Sequence, residues 1–305
     1  MAAFLLKRLL HGLVVLWVVA TLTFILLRLA PGGPFDRERK LPPEVMANIE
    51  AKYHLDEPPL RQYFRYLSGT LHGDLGPSYK YVDRRVIDII ADSLPTSAIL
   101  GGLAILFALV ISFPAGIASA YYRNSMIDRC CMLLATLGIS VPHFILGALL
   151  IWVIALQWGW LQPGRWDESS SAILPTITLA AAPAAYLAAL LRSTVIETLG
   201  QDFIRTARAK GVSERAVVLK HALGHSLIPV ITVMGPLTAA LLTGSFVVEY
   251  VFAIPGMGRF FITAVTDRDY PLIMGVTLVY TVMLVCANLL VDLLYGYVDP
   301  RIRTD

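Results

Sequence analysis

Few side chains in this 305-residue sequence stand where they could do chemistry, and their neighbours limit what they could do. His221 and His225 are four residues apart, which puts both imidazoles on one face of a helix. A zinc hydrolase of the H-E-x-x-H type needs glutamate directly after the first histidine. Ala222 stands there and no third ligand is evident, so the competing reading is two polar residues near a membrane boundary. His143 follows Pro142 inside an apolar run, where it could face a pore or pack against a partner at a proline kink. Gly256-Met257-Gly258 begins like G-x-G-x-x-G, but Phe261 takes the last glycine's place, and Pro255-Gly256 reads as a turn. The sequence holds neither a G-x-x-x-x-G-K-[ST] phosphate loop nor a G-x-S-x-G nucleophile elbow. An ion-coupled carrier keeps a carboxylate, lysine or histidine at mid-membrane. Here Glu249 and Asp292 lie near the ends of apolar runs and Arg28 at a boundary. No catalytic residues, metal site or cofactor site are therefore expected in this chain. If it takes part in active transport, the energy must arrive from another subunit.

The elements that would carry these residues are membrane helices. Hydrophobic residues make up 56% of the sequence and charged residues 15%, against about 25% charged in soluble domains. A net charge of +3, spread along the chain, does not point to nucleic acid. Cys130, Cys131 and Cys286 suggest no disulfide framework and read as small apolar residues in a packed membrane interior. A span needs about 20 largely apolar residues. Six stretches qualify: Gly12–Leu27, 98–120, an uncharged run from Cys130 to Gly164, 172–191, 226–248 and 271–291. The third is too long for one simple span and ends in Gln157-Trp158-Gly159-Trp160, a pattern of the membrane interface. The first is read as an uncleaved anchor, since it is long and has no A-x-A site before Pro31.

Loop charges orient the chain. One side carries Lys7, Arg8, Arg123, Arg129, six basic residues from Arg192 to Lys220, and Arg301 and Arg303. The short loops opposite carry only Arg165, Arg259 and Arg268, and the long segment 31–97 is exempt from the count. Both termini and the 192–225 loop are expected in the cytoplasm. Four parts follow: an anchor helix at 1–30, an external helical region at 31–97, a five-helix core at 98–298, and a tail at 299–305. The external region offers one helix opening at Pro42-Pro43-Glu44 and a second from Pro59 to about Leu71, ending at Gly73.

The 192–225 loop is the most patterned part outside the membrane. Val195, Leu199, Phe203 and Ala207 recur every four residues, giving a helix one apolar face. Gly211 is placed to end that helix in the left-handed conformation, and Ser213 to cap a second one carrying Val217, Val218 and Ala222. Arg205, Arg208, Lys210 and Arg215 make the exposed side basic. A groove on a partner protein and an anionic lipid surface both suit such a pair of helices.

Arg205-Thr206-Ala207-Arg208-Ala209-Lys210-Gly211, with Lys220-His221-Ala222-Leu223 and Leu227-Ile228-Pro229, resembles the EAA loop of ABC importer permeases. That motif runs E-A-A, three residues, G, nine residues, I-x-L-P; Ala207, Gly211 and Leu223 match it, while Arg205, Thr206, His221 and Gly224 depart in the manner of the peptide-import branch. Arg28-Leu29-Ala30-Pro31-Gly32, the stretch from Leu41 to Leu55, Gly73 through Ser78, Glu249, Pro255 through Gly258, and Arg268-Asp269-Tyr270-Pro271 extend the likeness along nearly the whole chain. Together they resemble the B-type permease subunit of oligopeptide and dipeptide ABC importers. The resemblance implies an all-α type I ABC importer permease (MetI-like) in the bacterial cytoplasmic membrane. Its core would pair with a C-type permease, and two ATPase subunits holding ATP and Mg would dock beneath. A binding protein would deliver peptide from outside. It also implies that Phe203, Arg205, Thr206, Ala207, Arg208, Ala209, Lys210, Gly211, Val212 and Ser213 meet an ATPase. Relatives that move nickel chelates or glutathione share these motifs, so peptide length and substrate preference stay open. A secondary carrier or channel for small solutes is the alternative class.

Overall fold

A backbone crossing hydrocarbon must satisfy its own hydrogen bonds, and uncharged runs of this length do so as helices. The computed structural model describes residues 2–35, 51–242 and 246–298. Among these every regular element is helical, apart from an isolated bridge between Pro77 and Arg85. Five helices are long and apolar enough to cross a membrane, or six if one bent pair counts as a single span. The first is α1 (Ala2–Leu29), whose apolar stretch Leu6–Leu29 is only 17% buried within the chain. Then come α2 (Pro59–Leu71), α3 (Val86–Tyr121) and α4 (Met126–Ser140). Helix α5 (His143–Leu150) widens into a π-helical segment, Ile151–Gln157.

The long uncharged run is thus a bent helix pair, the geometry of a broken span or a re-entrant loop: α4 and the α5 segment meet at 107° across Val141-Pro142. Proline at that point removes a donor and biases the preceding residue away from helix, and Val141 has ψ 118°. Helix α6 (Ile173–Leu199) is the most buried span, at 61%. After it stand α7 (Asp202–Ala209) and the single turn α8 (Glu214–Ala216). A second π-helical segment, Val217–Ala222, leads without a break into α9 (Leu223–Leu242). The chain closes with α10 (Phe246–Val251), α11 (Met257–Asp267) and α12 (Tyr270–Val298). The sequence reading of a helix opening at Pro42, and of the tail 299–305 with Arg301 and Arg303, falls outside the described residues.

By packing, the chain divides into two units. One comprises Met1–Thr96 with Pro255–Val282, the other Ser97–Ile254 with Met283–Asp305. In the first, the start of α3 lies against the start of α12, so closely that a Cβ on Gly275 would come within 2.5 Å of a Val86 methyl. In the second, α6 is the hub and packs most extensively on α4 and α9. Small residues permit that approach, as they do wherever membrane helices gain only dispersion by touching. A Cβ on Gly116 would stand 2.8 Å from the Ala188 carbonyl oxygen, and one on Gly138 3.0 Å from Ala185 Cβ. Cys130 and Cys286 are exposed and Cys131 is half-buried, so the cysteines are not the interior packing residues that their apolar surroundings suggest. Hydropathy places them in apolar segments but does not say which face they occupy.

Candidate functional site

The loop that follows α6 is built by two interruptions. Gly200 ends α6, and Gln201 turns extended (ψ 157°) before α7 begins. The face drawn from Val195 through Ala207 is therefore broken between Leu199 and Phe203. Its buried members after the break are Ile204 and Ala207, whereas Phe203 is 36% exposed with its ring 4.9 Å from that of His225. Ile204, Val217 and Ala222 form a small core against which Leu199 and Val212 pack. Ile204 is hidden in the sequence because the four-residue ladder is regular without it.

Gly211 has φ +77°, and its N–H donates to the Arg208 carbonyl at 2.9 Å. Only glycine takes that conformation without strain. Ser213 stands at the N-cap of α8 in extended conformation, but its side chain makes no capping hydrogen bond. What closes the turn is Arg208, whose Nε and terminal nitrogen donate to the two Glu214 oxygens at 2.8 and 3.1 Å. Arg205, Thr206, Arg208, Ala209, Lys210, Gly211 and Ser213 are exposed, Val212 is half-buried and Ala207 is buried. The result is a short basic helix on a fixed turn, with its apolar side already packed.

Below the loop its two ends are tied together by hydroxyls. Thr194 Oγ1 donates to the Ser226 carbonyl at 3.1 Å, and Ser226 Oγ lies 3.0 Å from Thr198 Oγ1, all buried. The end of α6 and the start of α9 are thereby fastened to each other. Close by in sequence is a second anchor. Asp128 accepts from Arg192 Nε at 2.6 Å and its terminal nitrogen at 2.7 Å, from the Asn124 N–H at 2.8 Å, and from the Ser119 hydroxyl. Asn124 takes φ +64° to make this possible. Arg192, counted among the loop charges by its position, is spent on a buried carboxylate (5% exposed). The clue in the sequence is Ser125-x-x-Asp128 ahead of an apolar run, a helix-start signature that also puts a carboxylate where a later arginine can reach it.

In the other unit, Asp269 plays a similar part. Its side chain accepts from the Ser78 hydroxyl and from the N–H groups of Tyr79 (3.1 Å), Lys80 (3.3 Å) and Leu272 (3.3 Å). Two motifs 191 residues apart are in fact one knot.

The remaining histidines are placed plainly. His143 Nδ1 donates to the Thr178 carbonyl at 3.1 Å, directly after the break at Pro142, which is the packing role. His221 and His225 are both exposed, and among the described residues no His, Cys, Asp and Glu side chains gather as a metal set. Glu249 is fully buried in α10, and Met257 and Gly258 begin α11.

A bent helix pair, close-packed small residues and a loop tied at both ends, among several long apolar helices, are the features of a multi-pass membrane protein. The family profile described as "Binding-protein-dependent transport system inner membrane component" matches residues 112–304, and its N-terminal companion matches 1–101; the chain belongs to this family. The oligopeptide transport system permease protein OppB of Haemophilus influenzae is 45% identical over 305 residues, covering 99% of this chain and 100% of the relative. The dipeptide transport system permease protein DppB of Bacillus subtilis is 45% identical over 303 residues, covering 99% and 98%. Among solved structures, an inward-facing MetNI methionine ABC transporter superposes with a TM-score of 0.59 at 18% identity, over 69% of this chain and 96% of that one. The fold is accordingly the all-α, multi-pass MetI-like permease fold.

Proposed function

We propose that this chain is a transmembrane permease subunit of an ATP-driven importer of oligopeptides. It forms the translocation path with a second, C-type permease and receives its energy from two ATPase subunits that hold ATP and Mg. An extracytoplasmic binding protein supplies the peptide. The chain itself is non-catalytic and binds no cofactor, and it sits in the bacterial inner membrane with both termini in the cytoplasm. Phe203 through Ser213 dock in a groove of one ATPase. Closure of the ATPase pair then shifts the membrane helices between two arrangements, by the difference in binding energy between them.

The observation that carries this reading is the α7 turn. Its apolar side is already occupied by Ile204, Ala207 and Val217, so its exposed basic side is what remains for a partner. A helix resting on lipid would keep its apolar side free for the membrane. Full-length relatives named as oligopeptide and dipeptide permeases support the substrate class.

The test is a mild-detergent pull-down of the tagged chain at native expression level. A second permease and two nucleotide-hydrolysing subunits are expected with it, and the ATPases alone should be lost when Gly211 is replaced by valine. Recovery of the chain by itself, with solute movement in vesicles lacking ATP, would overturn the proposal.

A further inference from the structure

A cavity of about 430 Å³ in the N-terminal unit takes no part in the coupling described above. Arg28, Lys52, His54 and Arg65 line it, against one carboxylate, Asp74. Arg65 is committed to Glu57 at 2.5 Å. Arg28 donates to the Gln62 amide oxygen and lies over the rings of Phe24 (5.0 Å) and Tyr270 (5.8 Å). Among the described residues no carboxylate pairs with Arg28 or with Lys52, whose ammonium sits 5.7 Å from the Tyr53 ring. Tyr79 packs edge-on to Tyr53 at 4.7 Å, and burial pushes its phenol up to about 12, so it stays a hydrogen-bond donor at any physiological pH.

A second cavity of about 330 Å³ adjoins the first and shares Phe24 and Arg28 with it. Its other walls include Ile25, Leu29, Pro59 and Leu60, and they are almost wholly carbon. Arg28 falls in the last turn of the first span, Leu6–Leu29, and Tyr270 is the first residue of the last, Tyr270–Leu290. The cationic cavity therefore lies where two spans leave the hydrocarbon, the depth at which lipid headgroups reside.

We propose that the two cavities form one site for an anionic phospholipid, with its phosphate beside Arg28 and Lys52 and an acyl chain along the groove at Ile25 and Leu60. A free anion such as a peptide carboxylate would suit the cationic cavity but would leave the apolar groove beside it empty. The lipid fills both. This goes beyond the transport reading and does not depend on it.

The test is native mass spectrometry of the full chain, with whatever subunits accompany it, in micelles doped with phosphatidylglycerol or phosphatidylcholine. Phosphatidylglycerol is expected to bind with a preference of about fivefold or more, the scale set by one or two basic residues facing an anionic lipid. Arg28→Gln with Lys52→Gln should abolish the preference, Arg28→Lys should keep it, and Arg8→Gln at the other end of α1 should not alter it. Leu60→Glu, at a site 72% exposed and so tolerant of change, should weaken phosphatidylglycerol binding without touching the cationic cavity, which Leu60 does not line. Equal binding of the two lipids would overturn the proposal, as would a preference that survives loss of both cations. So would glycerol 3-phosphate binding as tightly as the lipid, or displacement of the lipid by an equimolar tripeptide.

Discussion

Asp128 and Arg192 show what one polar pair can do at the end of an apolar helix. The carboxylate has four donors and the guanidinium meets it with two nitrogens, so each group's desolvation is offset only while the other is present. Asp128→Asn or Arg192→Met alone should destabilise the fold by about 3 kcal/mol, the low end for a broken buried pair because the arginine is 26% exposed. The double variant should recover much of that loss, and thermal unfolding in detergent would measure all three. Asp269 gives a second case. Asp269→Ala orphans the Tyr79 N–H, while the Lys80 N–H keeps the Ser78 hydroxyl as an acceptor, and hydrogen exchange at the Tyr79 amide should quicken about tenfold or more. At Gly211, a β-branched residue at φ +77° adds about 1–2 kcal/mol of strain in a turn that must keep its shape. Gly211→Val should leave insertion intact but, with the ATPases no longer docked, abolish ATP-driven peptide uptake in reconstituted vesicles. Uptake that persists would refute the coupling role.

Among the elements, what the sequence shows and what it hides have separate physical causes. Helix α2 is legible because proline and glycine mark both its ends: Pro59 opens it and Gly73 follows it at φ +77°. The turn at Gly211 is legible for the same reason. The 107° break at Val141-Pro142 is not, since hydropathy is a sum along the chain and carries no direction. Nor are the two anchors, because Asp128 lies 64 residues from Arg192 and Ser78 lies 191 from Asp269, with no local pattern joining them. Helix crossings were equally hidden, though glycine and alanine were present to be counted. Gly116→Leu should drive α3 from α6, since its Cβ alone would stand 2.8 Å from a backbone oxygen. The cost is about 1–3 kcal/mol. Gly102→Leu on the same helix meets nothing within 4 Å and is the matched control. Monodispersity on size exclusion should fall for the first and hold for the second.

For the whole molecule, charge distribution is what sets direction in the membrane. With the native cysteines replaced, Ser213→Cys should react with an impermeant maleimide only from the cytoplasmic face, and Asp167→Cys only from outside. Both positions are exposed, so reactivity reads topology rather than burial. The reverse pattern would invert the assignment and remove the loop from the reach of any cytoplasmic ATPase. Membrane character and family were readable from apolar runs and ordered motifs. The grouping of Pro255–Val282 with the N-terminal third was not, because it depends on Asp269 and Gly275 meeting residues far away in the chain.

The wide turns at Val217–Ala222 have a consequence for how such a chain changes its length. A π-helical turn takes up about one residue more than the α-helical path it replaces. Deleting Leu219, which is exposed, should let the segment close to ordinary helix and leave His225, Ser226 and all of α9 on their present faces. The same deletion one turn into α9 has no slack to draw on, and everything beyond it would rotate by about 100°. Natural insertions and deletions in this span should therefore cluster at Val217–Ala222, where the helix already carries a spare residue.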